Sequence, residues 1–216
     1  ELRTRWKNLR LDLEPEDPVS DIPPLEIRLK PGVESAKHPR MYFVTLSKAQ
    51  HAWLPGYLKK MERAGVMVKE SGTKPGGCYS PVLFPRKPKS TTEWRLVTDS
   101  RHLNSIVEPV VTDIPKLDDL RRRVGAIDGT TGPATCFATA DIVKGYWTIS
   151  VKKEDQKFLR CRLPHPFGAW RFTRASMGFA RSGNYFISQV QGILAEIIVD
   201  NRLIVGTDDL CMLGRQ

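Results

Sequence analysis

Two short apolar runs, Leu203–Val205 and Leu210–Leu213, are separated only by Gly206-Thr207-Asp208-Asp209. Apolar strands joined through Gly and Asp form a hairpin, because these residues accept the tight backbone geometry a turn requires. Two adjacent carboxylates therefore stand where two largely apolar strands meet. Taken alone, they are ordinary turn residues. Asp141 adds a second reading. It ends a strand expected over Cys136–Asp141, in which Phe137, Thr139 and Asp141 alternate with Ala138 and Ala140. An unpaired carboxylate is costly at the end of an apolar strand unless something positive holds it. If the two strands lie side by side, three carboxylates gather at one sheet edge and repel one another. Hard oxygen donors without His or Cys nearby select magnesium, with manganese the alternative. Two such ions about 3.5–4 Å apart suit phosphoryl or nucleotidyl transfer.

The charge balance points the same way. Thirty-four Lys and Arg against 24 Asp and Glu give a formal charge of +10. An anionic partner is expected, nucleic acid first and an acidic membrane surface second. Five arginines and no acid fall between Phe158 and Arg181: Arg160, Arg162, Arg171, Arg174 and Arg181. They read either as a solvated basic face or as groups that meet a polyphosphate or nucleic-acid backbone. No apolar run is long enough for a membrane-spanning helix, so no membrane partner is expected. Cys78, Cys136, Cys161 and Cys211 form no Cys-x-x-Cys pair, and the four histidines lack metal-ligand spacing. Reduced thiols, an intracellular setting and no zinc site are the expectation.

The chain mixes strands and helices without strict alternation, which favours an α+β fold. Residues 1–40 are rich in Pro and charge and read as an extended lead-in with at most one strand, Leu25–Leu29. Ser47 is placed to cap a helix to about Ala64, with Leu54, Leu58 and Met61 on one face and Gly65 as its stop. Pro55-Gly56 should kink or split it. Strands at Pro81–Pro85 and Trp94–Asp99 form a hairpin with a basic tip. A short helix is expected over Lys116–Val124 behind Pro115, and a loop over Asp128–Pro133. Further strands are expected at Trp147–Val151, Phe158–Leu163 and Trp170–Arg174. The clearest helix is Asn184–Val199, where Phe186, Val190, Ile193, Leu194 and Ile197 keep helical spacing.

These stretches, in this order, resemble the reverse transcriptases of gypsy-type LTR retrotransposons and, more distantly, of retroviruses. Leu46-Ser47 with Arg63-Ala64-Gly65-Val66 is similar to the opening fingers helix. Ser80–Leu83 and Trp94–Asn104 are similar to the fingers hairpin and the strand that follows. Ile114–Leu120 resembles a short helix of the family, and Phe137–Asp141 continuing through Gly145–Ile149 its first catalytic motif. Phe172–Phe186, with Met177-Gly178-Phe179 inside, resembles the nucleotide-side motif. Gly206-Thr207-Asp208-Asp209 sits where the family carries Tyr-x-Asp-Asp.

The resemblance implies a fingers-and-palm architecture whose palm is an antiparallel sheet with helices packed on one face. The divisions it implies are fingers at 41–112 and 143–175, and palm at 113–142 and 176–216. It makes Asp141, Asp208 and Asp209 the metal-binding triad, with the Ile142 carbonyl as a further ligand of two magnesium ions. Arg95, with either Arg86 or Lys87, would hold the triphosphate of an incoming dNTP. Tyr146 would lie under the sugar and disfavour a 2′-hydroxyl, although an aromatic residue there is also ordinary core material. Met177 and Gly178 would line the nucleotide pocket, Gly178 allowing close backbone approach. The implied partners are an RNA or DNA template with its primer, and the implied setting is a cytoplasmic virus-like particle or the nucleus.

Three departures accompany the resemblance. Gly206 replaces the Tyr of Tyr-x-Asp-Asp, Ser176-Met177 replaces Pro-Phe, and Ile127–Pro133 resembles an insertion. The chain does not begin with Met and ends at Gln216, so it is expected to be a fragment, with the thumb and any RNase H domain outside it. Two alternatives to an RNA-directed DNA polymerase follow: a degenerate or domesticated copy that binds nucleic acid without polymerising, and an RNA-templated RNA polymerase with a similar palm.

Overall fold

The computed structural model describes residues 22–33, 42–72, 77–88, 90–109, 118, 122, 136–142, 145–195, 198, 203–205 and 209–214. The first helix, α1 (Lys48–Arg63), begins with a reciprocal cap. Ser47 Oγ accepts the Gln50 N–H at 3.2 Å, and Gln50 Oε1 accepts the Ser47 N–H at 2.9 Å. Leu54, Leu58 and Met61 are buried along one face, and Gly65 turns the chain out at φ +61°. The helix is not split at Pro55. Pro55 and Gly56 lie on its exposed side, where water can serve the carbonyl that proline leaves unpaired, while the opposite face packs.

Strand β1 (Met67–Glu70) follows, then β2 (Tyr79–Ser80), β3 (Val82–Leu83) and β4 (Val97–Thr98). The expected hairpin is present: β3 and β4 pair antiparallel, and an isolated bridge joins Arg86 to Trp94 beyond them. Trp53 of α1 meets Trp94, Tyr57 and Phe84 with ring centroids 4.7–6.3 Å apart, pinning the hairpin to the helix. A short helix, α2 (Arg101–Ile106), comes next. Of the helix expected over Lys116–Val124, only Asp118 and Arg122 are described, both helical. The loop over Asp128–Pro133 lies outside the described residues.

Strand β5 (Cys136–Asp141) appears where the alternation places it. The strand expected at Trp147–Val151 is instead a 3₁₀ turn, Gly145–Thr148, followed by single bridges at Ser150 and Val151. Thr148 Oγ1 bonds back to the Gly145 carbonyl at 2.7 Å, and such local bonds compete with a ladder. Similarly, Phe158 and Leu159 belong to a 3₁₀ turn (Gln156–Leu159), and β6 is Arg160–Arg162. Strand β7 (Ala169–Phe172) completes a four-stranded sheet in the order β1-β7-β6-β2, antiparallel except for β2 beside β6.

The last helix, α2's longer counterpart α3 (Ala180–Ile193), starts four residues before Asn184 because Gly178, at φ +99°, breaks the preceding segment there. Phe186, Ile187 and Val190 are buried, whereas Ile193, expected on the apolar face, is 68% exposed. Strands β8 (Leu203–Val205) and β9 (Asp209–Gly214) form the expected hairpin, and β5 adds to it as an antiparallel edge in the order β5-β9-β8. Helix α3 packs against β8 and the Gly145–Thr148 turn. The fold is α+β, with an antiparallel sheet and its helix beside a second, mixed sheet.

The segment at 22–33 is extended but makes two isolated bridges, Leu25 with Val151 and Leu29 with Val107, and no continuous strand. Leu25 and Ile27 are buried, and Tyr185 of α3 donates to the Pro23 carbonyl at 2.7 Å.

Candidate active site

Six consecutive pairs align β5 with β9, from Cys136 opposite Gly214 to Asp141 opposite Asp209. The ladder therefore makes two acids direct cross-strand partners. Residues so placed have Cβ atoms about 4.5–5.5 Å apart, and like charges there are destabilising. Asp209 is the first residue of β9, not part of the turn: the β8–β9 pairing closes with Val205 opposite Leu210. Gly206, Thr207 and Asp208 lie outside the described residues.

The carbonyl of Ile142, next to Asp141, accepts the Gly145 N–H at 3.3 Å. A carbonyl oxygen has a second lone pair, so this bond leaves it able to meet a cation. Two carboxylate positions and a backbone carbonyl make an all-oxygen donor set. That set fits magnesium or manganese and does not suit zinc.

Tyr146 sits in the 3₁₀ turn directly after this carbonyl. It is half-buried, and its ring meets Phe186 of α3 edge-on, centroids 5.6 Å apart at 82°. A Cβ on Gly145 would fall 2.4 Å from Phe186 Cζ, so the turn rests on the ring with no room for a side chain. Tyr146 is thus partly core material and partly open at the surface. Arg174 donates to the Trp147 carbonyl at 2.8 Å, and the Ala175 N–H to Ile149 at 3.0 Å, tying this turn to the segment that leads into Met177 and Gly178.

Met177 is half-buried and Gly178 exposed. Both are fastened to β4 and α2. Thr98 Oγ1 donates to the Met177 carbonyl at 2.9 Å, and Asn104 Nδ2 to the Gly178 carbonyl at 3.1 Å. Thr98 and Asn104 shape the site without any local sequence signal, because their partners lie more than seventy residues away in the chain.

Arg86, Lys87 and Arg95 sit on the fingers-like hairpin, not on the sheet of the acid pair. The Arg95 N–H bonds to Pro85, and the Lys87 N–H to Glu93. Alternation therefore gives Lys87 and Arg95 the outer face, while Arg86 lies opposite the buried Trp94. The Lys87 ammonium is taken by Glu93 at 2.7 Å, whereas the side chains of Arg86 and Arg95 are exposed.

A family model described as "Reverse transcriptase (RNA-dependent DNA polymerase)" matches residues 85–216, more than half of the chain. The chain belongs to the reverse transcriptase family. Its fold is also that of solved family structures. A prototype foamy virus protease-reverse transcriptase superposes over the whole chain with a TM-score of 0.77 at 18% identity. A foamy viral protease-reverse transcriptase lacking a segment named RH, solved in complex with double-stranded DNA, does so with 0.71 at 19%. The chain spans 26% and 34% of those two chains.

Most of the arginine run in this reverse transcriptase domain is neither a solvated face nor a free phosphate grip. Arg160 and Arg174 are 7% and 6% exposed. Glu70, whose side chain is 2% exposed, lies 3.1 Å from Arg160 Nε and 3.1 Å from Arg171 Nε. These are ion pairs by distance, with the N–H bonds directed off the carboxylate. Arg171 also donates to Gln156, Arg181 donates to the Glu108 carbonyl, and Arg160 and Arg162 lie over the Tyr79 ring. Burial pulls the Arg181 pKa down. The basic composition is thus partly spent inside the fold.

A second polar cluster fixes the strand that carries Arg95. The buried Asp99 carboxylate receives both Nε and Nη2 of Arg101, at 2.8 and 2.7 Å, and the Tyr42 hydroxyl. The guanidinium of Arg101 holds the Asp99 carboxyl well below the usual range. The bond to Asp99 in turn raises the Tyr42 pKa.

Proposed function

We propose that this chain is the fingers-and-palm core of an RNA-directed DNA polymerase encoded in the polyprotein of a gypsy-type LTR retrotransposon. The observation that carries the reading is the pairing of Asp141 with Asp209 across β5 and β9. Two divalent ions, when bound, supply charge neutralisation and Lewis acidity for nucleotidyl transfer. Asp141, Asp208, Asp209 and the Ile142 carbonyl hold them. Arg95, with Arg86 or Lys87, holds the triphosphate, and Tyr146 lies under the deoxyribose. Met177 and Gly178 line the pocket. The primer 3′-hydroxyl attacks the α-phosphate of a dNTP and pyrophosphate leaves, with no covalent enzyme intermediate. The template is RNA or DNA, the fingers take 41–112 and 143–175, the palm 113–142 and 176–216, and the protein works in a virus-like particle or the nucleus.

Primer extension on an RNA template with Mg²⁺ tests this in the intact protein that carries the sequence. The wild type is expected to incorporate dNTPs and Asp208→Asn to lose at least about a hundredfold in rate, as for other groups that stabilise a transition state. Equal incorporation by both, or salt-sensitive RNA binding with none by either, would instead favour a copy that binds nucleic acid without polymerising. Gly206, in place of the family's Tyr, motivates that second reading.

A further inference from the structure

Asn104 reaches from α2 across to the loop that enters α3, and its amide is used at both ends. Nδ2 donates to the Gly178 carbonyl at 3.1 Å, while Oδ1 accepts the Ala180 N–H at 3.0 Å. One partner is an acceptor and the other a donor, so a single orientation of the amide satisfies both. Ala180 is the first residue of α3, and Phe179 at the N-cap position brings no side-chain oxygen. The helix therefore takes its cap from a residue distant in sequence. Behind the same loop, a Cβ on Gly178 would fall 2.1 Å from the Thr98 carbonyl, and Thr98 Oγ1 holds the Met177 carbonyl. The Met177–Gly178 backbone is wedged between Thr98 on one side and Asn104 on the other.

We propose that Asn104 is a positioning residue for the incoming nucleotide: by fixing the Gly178 carbonyl and the first amide of α3, it sets where the Met177–Gly178 wall of the pocket stands. This rests on the polymerase reading of the site. Asn104 touches no reacting atom, so its loss acts on nucleotide affinity and leaves the chemical step alone. Asn104→Asp separates its two bonds. The carboxylate still accepts the Ala180 N–H, at a helix N-terminus where negative charge is favoured, but sets an oxygen against the Gly178 carbonyl. Asn104→Ala removes both bonds.

The test compares single-nucleotide incorporation and thermal unfolding of the wild type with both variants. Asn104→Asp is expected to raise the dNTP KM about fivefold, the effect of one lost hydrogen bond, with kcat within about twofold and Tm unchanged. Asn104→Ala is expected to show the same KM defect with a lower Tm. A wild-type KM in Asn104→Asp, or a fall in kcat without a change in KM, would overturn the proposal. If the wild type incorporates no dNTP at all, the polymerase reading fails separately. The clamp is then read from the ¹³C-methyl resonance of Met177 in the free protein. A shift in both variants supports it, and an unchanged resonance overturns it.

Discussion

Gly145 and Phe186 meet so closely that a single methyl group added to the glycine would lie 2.4 Å from the ring's Cζ. The contact joins the turn after β5 to helix α3 and sets Tyr146 edge-on to the same ring. The position of Tyr146 is thus decided by a glycine and an aromatic residue 41 positions apart.

Gly145→Ala is expected to destabilise the fold by about 1–3 kcal/mol through overpacking. In a Phe186→Leu background the cost should shrink, giving a coupling of at least about 0.5 kcal/mol in a double-mutant cycle read by urea unfolding. Additive effects would mean that the turn does not rest on the ring.

Tyr146→Ala addresses the sugar. If the ring excludes a 2′-hydroxyl, the variant should improve rNTP use relative to dNTP use by at least about tenfold in competing incorporation assays. Unchanged selectivity would leave Tyr146 as core material only, a role its contact with Phe186 already provides.

Glu70 is the buried anion between Arg160 and Arg171. Glu70→Gln leaves a buried guanidinium without its counter-charge and should cost about 3–5 kcal/mol in equilibrium unfolding. Arg171→Gln should cost less, because the Arg171 side chain is 26% exposed and its charge is partly solvated already. The opposite ranking would remove the pair from the account of why the β1-β7-β6 strands hold together.

The Asp99 carboxyl is held below its usual value of 3.8 by Arg101 first, so the charged form belongs to the folded state. Its contribution is full above about pH 4 and is lost as pH falls below 3.8 towards the folded-state value. Asp99→Asn should therefore lose about 1 kcal/mol at pH 7, a modest figure because the Arg101 side chain is 85% exposed. The gap to the wild type should narrow below pH 4 in urea titrations. A gap that stays constant with pH would place the stabilisation elsewhere.

Local patterns in the chain carried the parts of the fold that depend on neighbours in sequence. Ser47 with Gln50, the apolar face of Leu54, Leu58 and Met61, and the hairpin around Trp94 are all readable from spacing. Pro55 misled because a helix tolerates proline on a solvent face when its other face packs. The stretch after Gly145 misled because apolar residues in a 3₁₀ turn look like a short strand. Long-range pairings left no trace that one sequence reveals: the Asn104 and Thr98 clamps, the Glu70 ion pairs, and the capture of Leu25 by Val151. Arg160 and Arg174 looked like surface charge because composition does not distinguish a buried arginine from a solvated one. At the candidate site, the acids were legible as residue types, whereas the register that pairs two of them belongs to the fold.

Single-turnover incorporation of one dNTP by Asp141→Asn, Asp209→Asn and the double variant tests the shared role of the two acids most directly. Groups that act as one unit are not additive, so each single variant should lose at least about a hundredfold and the double variant little more. Full activity of Asp141→Asn, or losses that multiply in the double variant, would contradict a common site.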